Sequence, residues 1–189
     1  PRLLSWNGRL WLYFAVLGAN STDFEPQGSR TSLRLGPGQW TEPEPVFPDT
    51  FIPWRIHADE DGGPQVMGYV GGAGVYDPEA PPIEIHWLRT DDGLGWSPVV
   101  PGQPVVQRGG GSETDWVRMD DGALVAVVRN EAGDELGWGS KVCRAEAGSL
   151  GDWRCVGDPR KYDSPLMFRH GSDVWLVGRR TLEHEGLFD

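Results

Sequence analysis

The sequence predicts an all-β protein, a β-propeller of four-stranded antiparallel blades, on three observations. Helical periodicity is scarce, and short runs rich in Val, Leu, Trp and Tyr are bounded instead by Gly, Pro, Asp and Asn. Four hairpins of one style recur, their turn glycines Gly8, Gly62, Gly122 and Gly171 spaced 54, 60 and 49 residues apart. Behind each of the first three comes a second hairpin carrying a tryptophan, and Trp40, Trp96 and Trp153 lie 56 and 57 residues apart. Four strands in roughly 50 to 60 residues is the signature of a propeller blade, whereas a sandwich repeats turns without repeating whole units.

Taken in order, LLSWNGRLWLYFAVLG is two apolar runs around Asn7-Gly8, the strongest short hairpin signal. WRIHADEDGGPQVMGYV is a looser version around Asp61-Gly62, WVRMDDGALVAVVR repeats it around Asp121-Gly122, and LMFRHGSDVWLVGRR around His170-Gly171. The followers SLRLGPGQWTEPEPV, HWLRTDDGLGWSPVV and KVCRAEAGSLGDWRCV each read as strand, Gly-containing turn, tryptophan and a short polar or proline-broken strand. The blades are therefore expected at about 3–49, 51–102, 112–158 and 162–189, one incomplete propeller domain whose last unit stops after its first hairpin. Three and a half blades do not close a ring of about four to eight. The expectation is a fragment of a five- or six-bladed ring, with the missing blades in a longer parent chain. A start at Pro1 instead of methionine agrees with that.

At 189 residues and 20.9 kDa the chain can bury one sizeable core. A net charge of -11 and a pI near 4.7 repel phosphate backbones, so no nucleic-acid partner is expected. No stretch approaches the roughly 18 apolar residues of a membrane span, and no basic-then-apolar signal segment stands at the start. The ten tryptophans are either core of stacked sheets or platforms for sugar rings. Cys143 and Cys155 lie in one hairpin, SKVCRAEAGSLGDWRC, where they are either disulfide partners across neighbouring strands or two reduced, buried thiols. The disulfide would place the protein in an oxidising compartment: secreted, periplasmic or at the cell surface. His57, His86, His170 and His184 are scattered without ligand spacing, so neither a metal nor a cofactor is expected.

The stretch SETDWVRMDDGALVAVVRNE sets Glu113 and Asp115 before an apolar strand and closes its partner with Arg129. In a propeller the inner strands converge on a central funnel, so their openings, Trp54-Arg55, Glu113-Thr114-Asp115 and Tyr162-Asp163, should meet at one rim. Glycoside hydrolysis needs two carboxyl groups about 5 to 10 Å apart, one held protonated as general acid. An arginine fork beside them would bind a substrate carboxylate. The candidates are thus Glu113, Asp115 and Asp163 for catalysis. Arg55, Arg129, Tyr162, Arg179, Arg180, Trp54 and Trp116 are the candidates for holding a carbohydrate ligand. The competing reading makes Glu113 and Asp115 clasps for backbone amides, Arg129 their ion-pair partner, and Asp163 a turn former.

Several motifs carry a resemblance. TDDGLGW (Thr90 to Trp96) is a shortened Ser-x-Asp-x-Gly-x-Thr-Trp turn with Asp92, Gly95 and Trp96 in place. SLRLGPGQW keeps Ser32, Gly36 and Trp40, and AEAGSLGDW keeps Gly148 and Trp153. Together with Glu113, Val117 to Met119, Asp121-Gly122 and Arg129, these make the chain resemble the sialidase (neuraminidase)-like BNR-repeat propellers. That resemblance implies structural Asp-box turns and an exo-acting glycoside hydrolase cleaving a terminal sugar, acidic ones included, in the funnel. The early Arg-Ile-Pro motif of those enzymes is missing; Arg55, in IPWRIH, is its nearest imitation, and their tyrosine nucleophile would lie beyond Asp189. YDSPLMFRHGSDVWLVGRR is also similar to the inner strand of five-bladed arabinanase and invertase-type glycosidases, which implies Asp163 as general acid where that family more often has glutamate. The alternative function is a non-catalytic carbohydrate- or protein-binding propeller, motivated by the decayed boxes.

Overall fold

The structure, a computed structural model, describes residues 1–19, 24–59, 63–74, 77 and 79–181. Among them the chain is strand and turn apart from one 3-10 turn at Gly72–Gly74. No helix among these residues is long and apolar enough to cross a membrane.

β1 (Arg2–Trp6) and β2 (Arg9–Leu17) form the first hairpin. Asn7 and Gly8 take φ of 50° and 69°, the positive pair that matches a two-residue turn to the twist of its strands. β3 (Pro26–Gly36) pairs antiparallel with β2, and β4 (Gln39–Trp40) and β5 (Glu44–Val46) both pair with β3. The second sheet contains β6 (Ile52–Asp59), β7 (Gly63–Val70), β8 (Ile83–Thr90), β9 (Trp96–Pro98) and β10 (Val105–Gly109). Its order is β10-β8-β7-β6, with β9 pairing β8. The expected turn at Asp61-Gly62 lies outside the described residues. β10 falls where the repeat assigns no strand, because its short VVQRG run carries too few apolar residues to stand out.

The third sheet is a plain four-stranded meander: β11 (Gly111–Arg118), β12 (Leu124–Asn130), β13 (Ser140–Ala145) and β14 (Arg154–Asp158). The Asp121 carboxylate accepts the Ala123 N–H at 2.9 Å and Gly122 takes φ 79°, which closes its inner hairpin. Cys143 and Cys155 stand opposite each other on β13 and β14, 4.0 Å apart at Cα, and are joined by a disulfide. β15 (Lys161–His170) and β16 (Asp173–Thr181) form a fourth hairpin, turning at Gly171 with φ 62°.

The chain divides into two compact units, Pro1–Gly74 with His86–Pro104, and Val75–Ile85 with Val105–Asp189. The core of the first gathers Leu4, Trp11, Tyr13 and Val46, with Phe47 and Trp96 packed beside them. Trp96 meets the Tyr13 ring edge-on at 5.7 Å between centroids, an arrangement the ring quadrupoles favour. In the turn before Trp96, Asp92 Oδ1 accepts the N–H groups of Leu94 and Gly95 at 2.8 and 2.7 Å. Those bonds hold the Asp92 carboxyl below its ordinary value. The equivalent tryptophans have drifted: Trp40 is exposed, and Trp153 is half-buried with its indole donating to Leu150 O.

In the second unit Val117, Val127 and Met167 form a core between the third sheet and the fourth hairpin. Alternation along β15 decides which residues face inward. Asp163 and Met167 are buried, while Leu166 and Phe168 are exposed.

Candidate functional site

Three inner hairpins share a device that positions polar groups. In β6, Trp54 is an extra residue between the pairs Pro53–Gly68 and Arg55–Met67. In β11, Ser112 and Glu113 together oppose Arg129, and in β15 Ser164 and Pro165 oppose Gly178. Such bulges re-aim side chains and are over-represented beside functional sites. Two glycines mark the facing strands: a Cβ on Gly68 would collide with Ile52 O and the Phe51 ring, and one on Gly178 would press on Asp163 O at 3.2 Å.

Within the second unit the two bulges meet. Ser164 takes φ 52°, rare for a residue with a side chain, and in that conformation its N–H donates to Glu113 Oε2 at 2.5 Å. The bulge in β11 puts Glu113 Oε1 at 3.4 Å from Arg129 Nη1. The same guanidinium contacts Glu131 Oε2 and Asp163 Oδ1, each at 2.6 Å. Lys161, two residues before Asp163 on the same face of β15, is buried within the field of these groups. Three carboxylates thus confront two cations, and all five side chains are largely out of water.

Burial governs the protons here. Burial pushes the Glu113 carboxyl above its ordinary value. The Ser164 N–H and Arg129 oppose the shift, and the charges of Asp163 and Glu131 add to it. Burial likewise lowers the Lys161 ammonium, with Glu131 pulling the other way.

The remaining candidates sort by what they touch. Asp115 is fully buried; its Oδ1 accepts the Trp116 N–H at 2.8 Å and its Oδ2 the Met167 N–H at 2.7 Å. It is an amide clasp between sheets, not a group placed to meet a ligand. Trp116, 5% exposed, is core and offers no ring face. Trp54 carries the Arg2 guanidinium 4.3 Å above its ring. Arg55 sits next to the bulge of β6, in the first unit, opposite Met67. Tyr162 gives its hydroxyl proton to Asp158 at 3.3 Å. Arg179 is exposed and pairs in register with Asp163, its Nη2 3.4 Å from Ser164 Oγ. The backbone of Arg180 pairs with Tyr162, and its side chain lies outside the described residues. Sequence reasoning missed Glu131 and Lys161. Each lies two residues from an identified candidate: Lys161 precedes Asp163 on the same face of β15, and Glu131 follows Arg129 one residue past the end of β12.

These features define an all-β protein of propeller-type, four-stranded antiparallel blades. No family model and no curated protein matches the sequence. Among solved structures, a protein of unknown function from Dyadobacter fermentans DSM 18053 is similar with a TM-score of 0.61 at 15% identity. That likeness covers 92% of this chain and 54% of the other, so the chain spans about half the length of that protein. The endo-arabinase from Bacteroides thetaiotaomicron VPI-5482 is similar with a TM-score of 0.51 at 13% identity, over 96% of this chain and 74% of that one. At these identities the likeness is one of fold.

Proposed function

We propose that the chain carries the active site of a glycoside hydrolase, with Glu113 as proton donor and Asp163 as the second carboxyl group across the scissile bond. The observation that carries this reading is the pair of environments around Arg129. Glu113 is biased toward its protonated form by burial and neighbouring acids, while Asp163 lies against the guanidinium at 2.6 Å. Two carboxyl groups with different surroundings are what acid–base cleavage of a glycoside uses. The fold likeness to an endo-arabinase lends support, since that enzyme acts on a glycan through a related scaffold. The sialidase-like reading fits less well at one point. Arg129 already faces three carboxylates, so a sugar acid approaching it would meet net negative charge. A neutral sugar suits the site better. The disulfide suits a secreted, periplasmic or cell-surface enzyme.

The test is turnover of a panel of neutral aryl glycosides and arabinan by the chain and by Glu113→Gln. The expected result is hydrolysis that falls by about 100-fold or more in the variant, the usual range for losing a general acid, with cooperative thermal unfolding retained. Undiminished turnover in the variant would refute the assignment. A second reading, a non-catalytic glycan-binding propeller, is favoured by one observation: the acids are already engaged by Arg129 and by the Ser164 amide. Saturable glycan binding without any hydrolysis would establish it.

A further inference from the structure

The fourth hairpin presents an open edge. Among the described residues β16 pairs with β15 alone, whereas the third sheet runs to four strands. Alternate N–H and C=O groups along β16 therefore face away from β15, in position to continue the sheet. Natural edges are commonly blunted by proline, by a bulge, by shortness or by a charge in mid-strand. β16 uses none of these. It is nine residues long and free of proline, the extra residue of its hairpin belongs to β15, and its stretch 174–177 is wholly apolar.

Asp173, Trp175, Val177 and Arg179 alternate onto one face of the strand, and all four are exposed. Neither Asp173 nor Arg179 has an ion-pair partner among the described residues; Arg179 Nη2 lies 3.4 Å from Ser164 Oγ. The order of the four is self-complementary. A second β16 laid antiparallel alongside, with a two-fold axis through Leu176, sets Asp173 opposite Arg179 of the partner subunit and Trp175 opposite Val177 of the partner subunit. Each contact then occurs twice, as in any isologous interface. Opposite charges, and an aromatic beside a β-branched residue, are cross-strand pairs that favour a ladder. Sliding the register by two residues loses both ion pairs, since Asp173 then faces position 177 or 181. Parallel pairing in register sets like charges together, which opposes it.

We propose that β16 is a dimer interface, through which two copies of this chain pair edge to edge and antiparallel about Leu176. The two fourth hairpins join there into one four-stranded sheet, the strand number of the third sheet. An interface one strand long belongs to the weak, reversible class. The pairing holds whether or not Glu113 is catalytic, because it uses neither that residue nor Arg129 and Asp163.

The experiment is sedimentation equilibrium of the chain at about 10 to 500 µM, the range in which weak pairing shows. At about 0.1 M salt the screening length of about 10 Å damps the repulsion between two chains of net charge -11 and spares groups in contact. The expected result is an average mass that climbs with concentration from 20.9 kDa toward twice that value. Asp173→Arg and Arg179→Asp each set like charges opposite one another at both ends of the interface, and each should weaken association about tenfold or more. Mixed one to one, the two variants regain unlike charges at both ends and should associate within about threefold of the unaltered chain. Either variant alone tests the pairing, so loss of the fold in one leaves the other decisive. A chain that stays monomeric throughout overturns the proposal and leaves the edge to some other strand. So does association that both variants retain within about twofold, the mark of contact through the apolar face instead, or a mixture that pairs no more tightly than its components.

Discussion

At Glu113 the cost of ionising inside the fold has a definite sign. Its folded pKa lies above the ordinary 4.5, so the folded state holds the proton more tightly than the unfolded chain does. The stability it contributes is fully present below about pH 4.5 and is lost as pH rises through the raised value. The wild type should therefore lose stability relative to Glu113→Gln as pH rises above the ordinary 4.5, measured as the difference in melting temperature between the two across a pH series. Arg129 has the opposite role, since it neutralises acids that would otherwise be stranded. Arg129→Ala should destabilise the fold by about 3–5 kcal/mol, the usual result of leaving buried charge without its partner, as read from urea unfolding. The sequence made Glu113, Arg129 and Asp163 legible because charges stood at the ends of apolar runs. The bulges that bring them together were not legible, since register belongs to two strands at once. Gly178, opposite the bulge in β15, is the written trace of one of them.

Among elements, the hairpins were the most readable, because Asn7-Gly8, Asp121-Gly122 and Gly171 name their turns directly. The second hairpins were less so. In the Thr90–Trp96 turn Asp92 accepts two backbone amides, whereas the tryptophans at 40 and 153 keep the spacing but are more exposed or held differently. Among the described residues β14 pairs with β13 alone, and three of its five residues are exposed; the disulfide adds a covalent tie to that one ladder. The bridge closes a sequence separation of 12 residues. The chain-entropy account of so short a loop assigns it roughly 3 kcal/mol. Replacing both cysteines with serine should lower unfolding stability by about that amount, and reducing the wild type with dithiothreitol should reproduce the loss.

For the molecule as a whole, the repeat length announced the sheets, and the third sheet shows the unit complete. The fourth hairpin is apolar on both faces: Met167 is buried against the third sheet, while Leu166, Phe168, Trp175 and Val177 are exposed on the other side. Phe168 and Trp175 stack there with ring planes 11° apart. An exposed strip of this kind should bind the dye ANS in the native state. Replacing Phe168 and Val177 with threonine should reduce the fluorescence with little change in melting temperature.

The cross-sheet clasps have a kinetic consequence. The amides of Ser164 and Met167 donate to carboxylates of the third sheet, Glu113 and Asp115, and not to a strand neighbour. Their hydrogen exchange with deuterated water therefore reports how often the last hairpin lifts off, while the amides of the hairpin's own ladder report how often it unzips. If Ser164 and Met167 exchange together and faster than that ladder, the hairpin leaves as a preformed piece. The second unit would then open in two stages, the first of them passing through the Glu113 cluster.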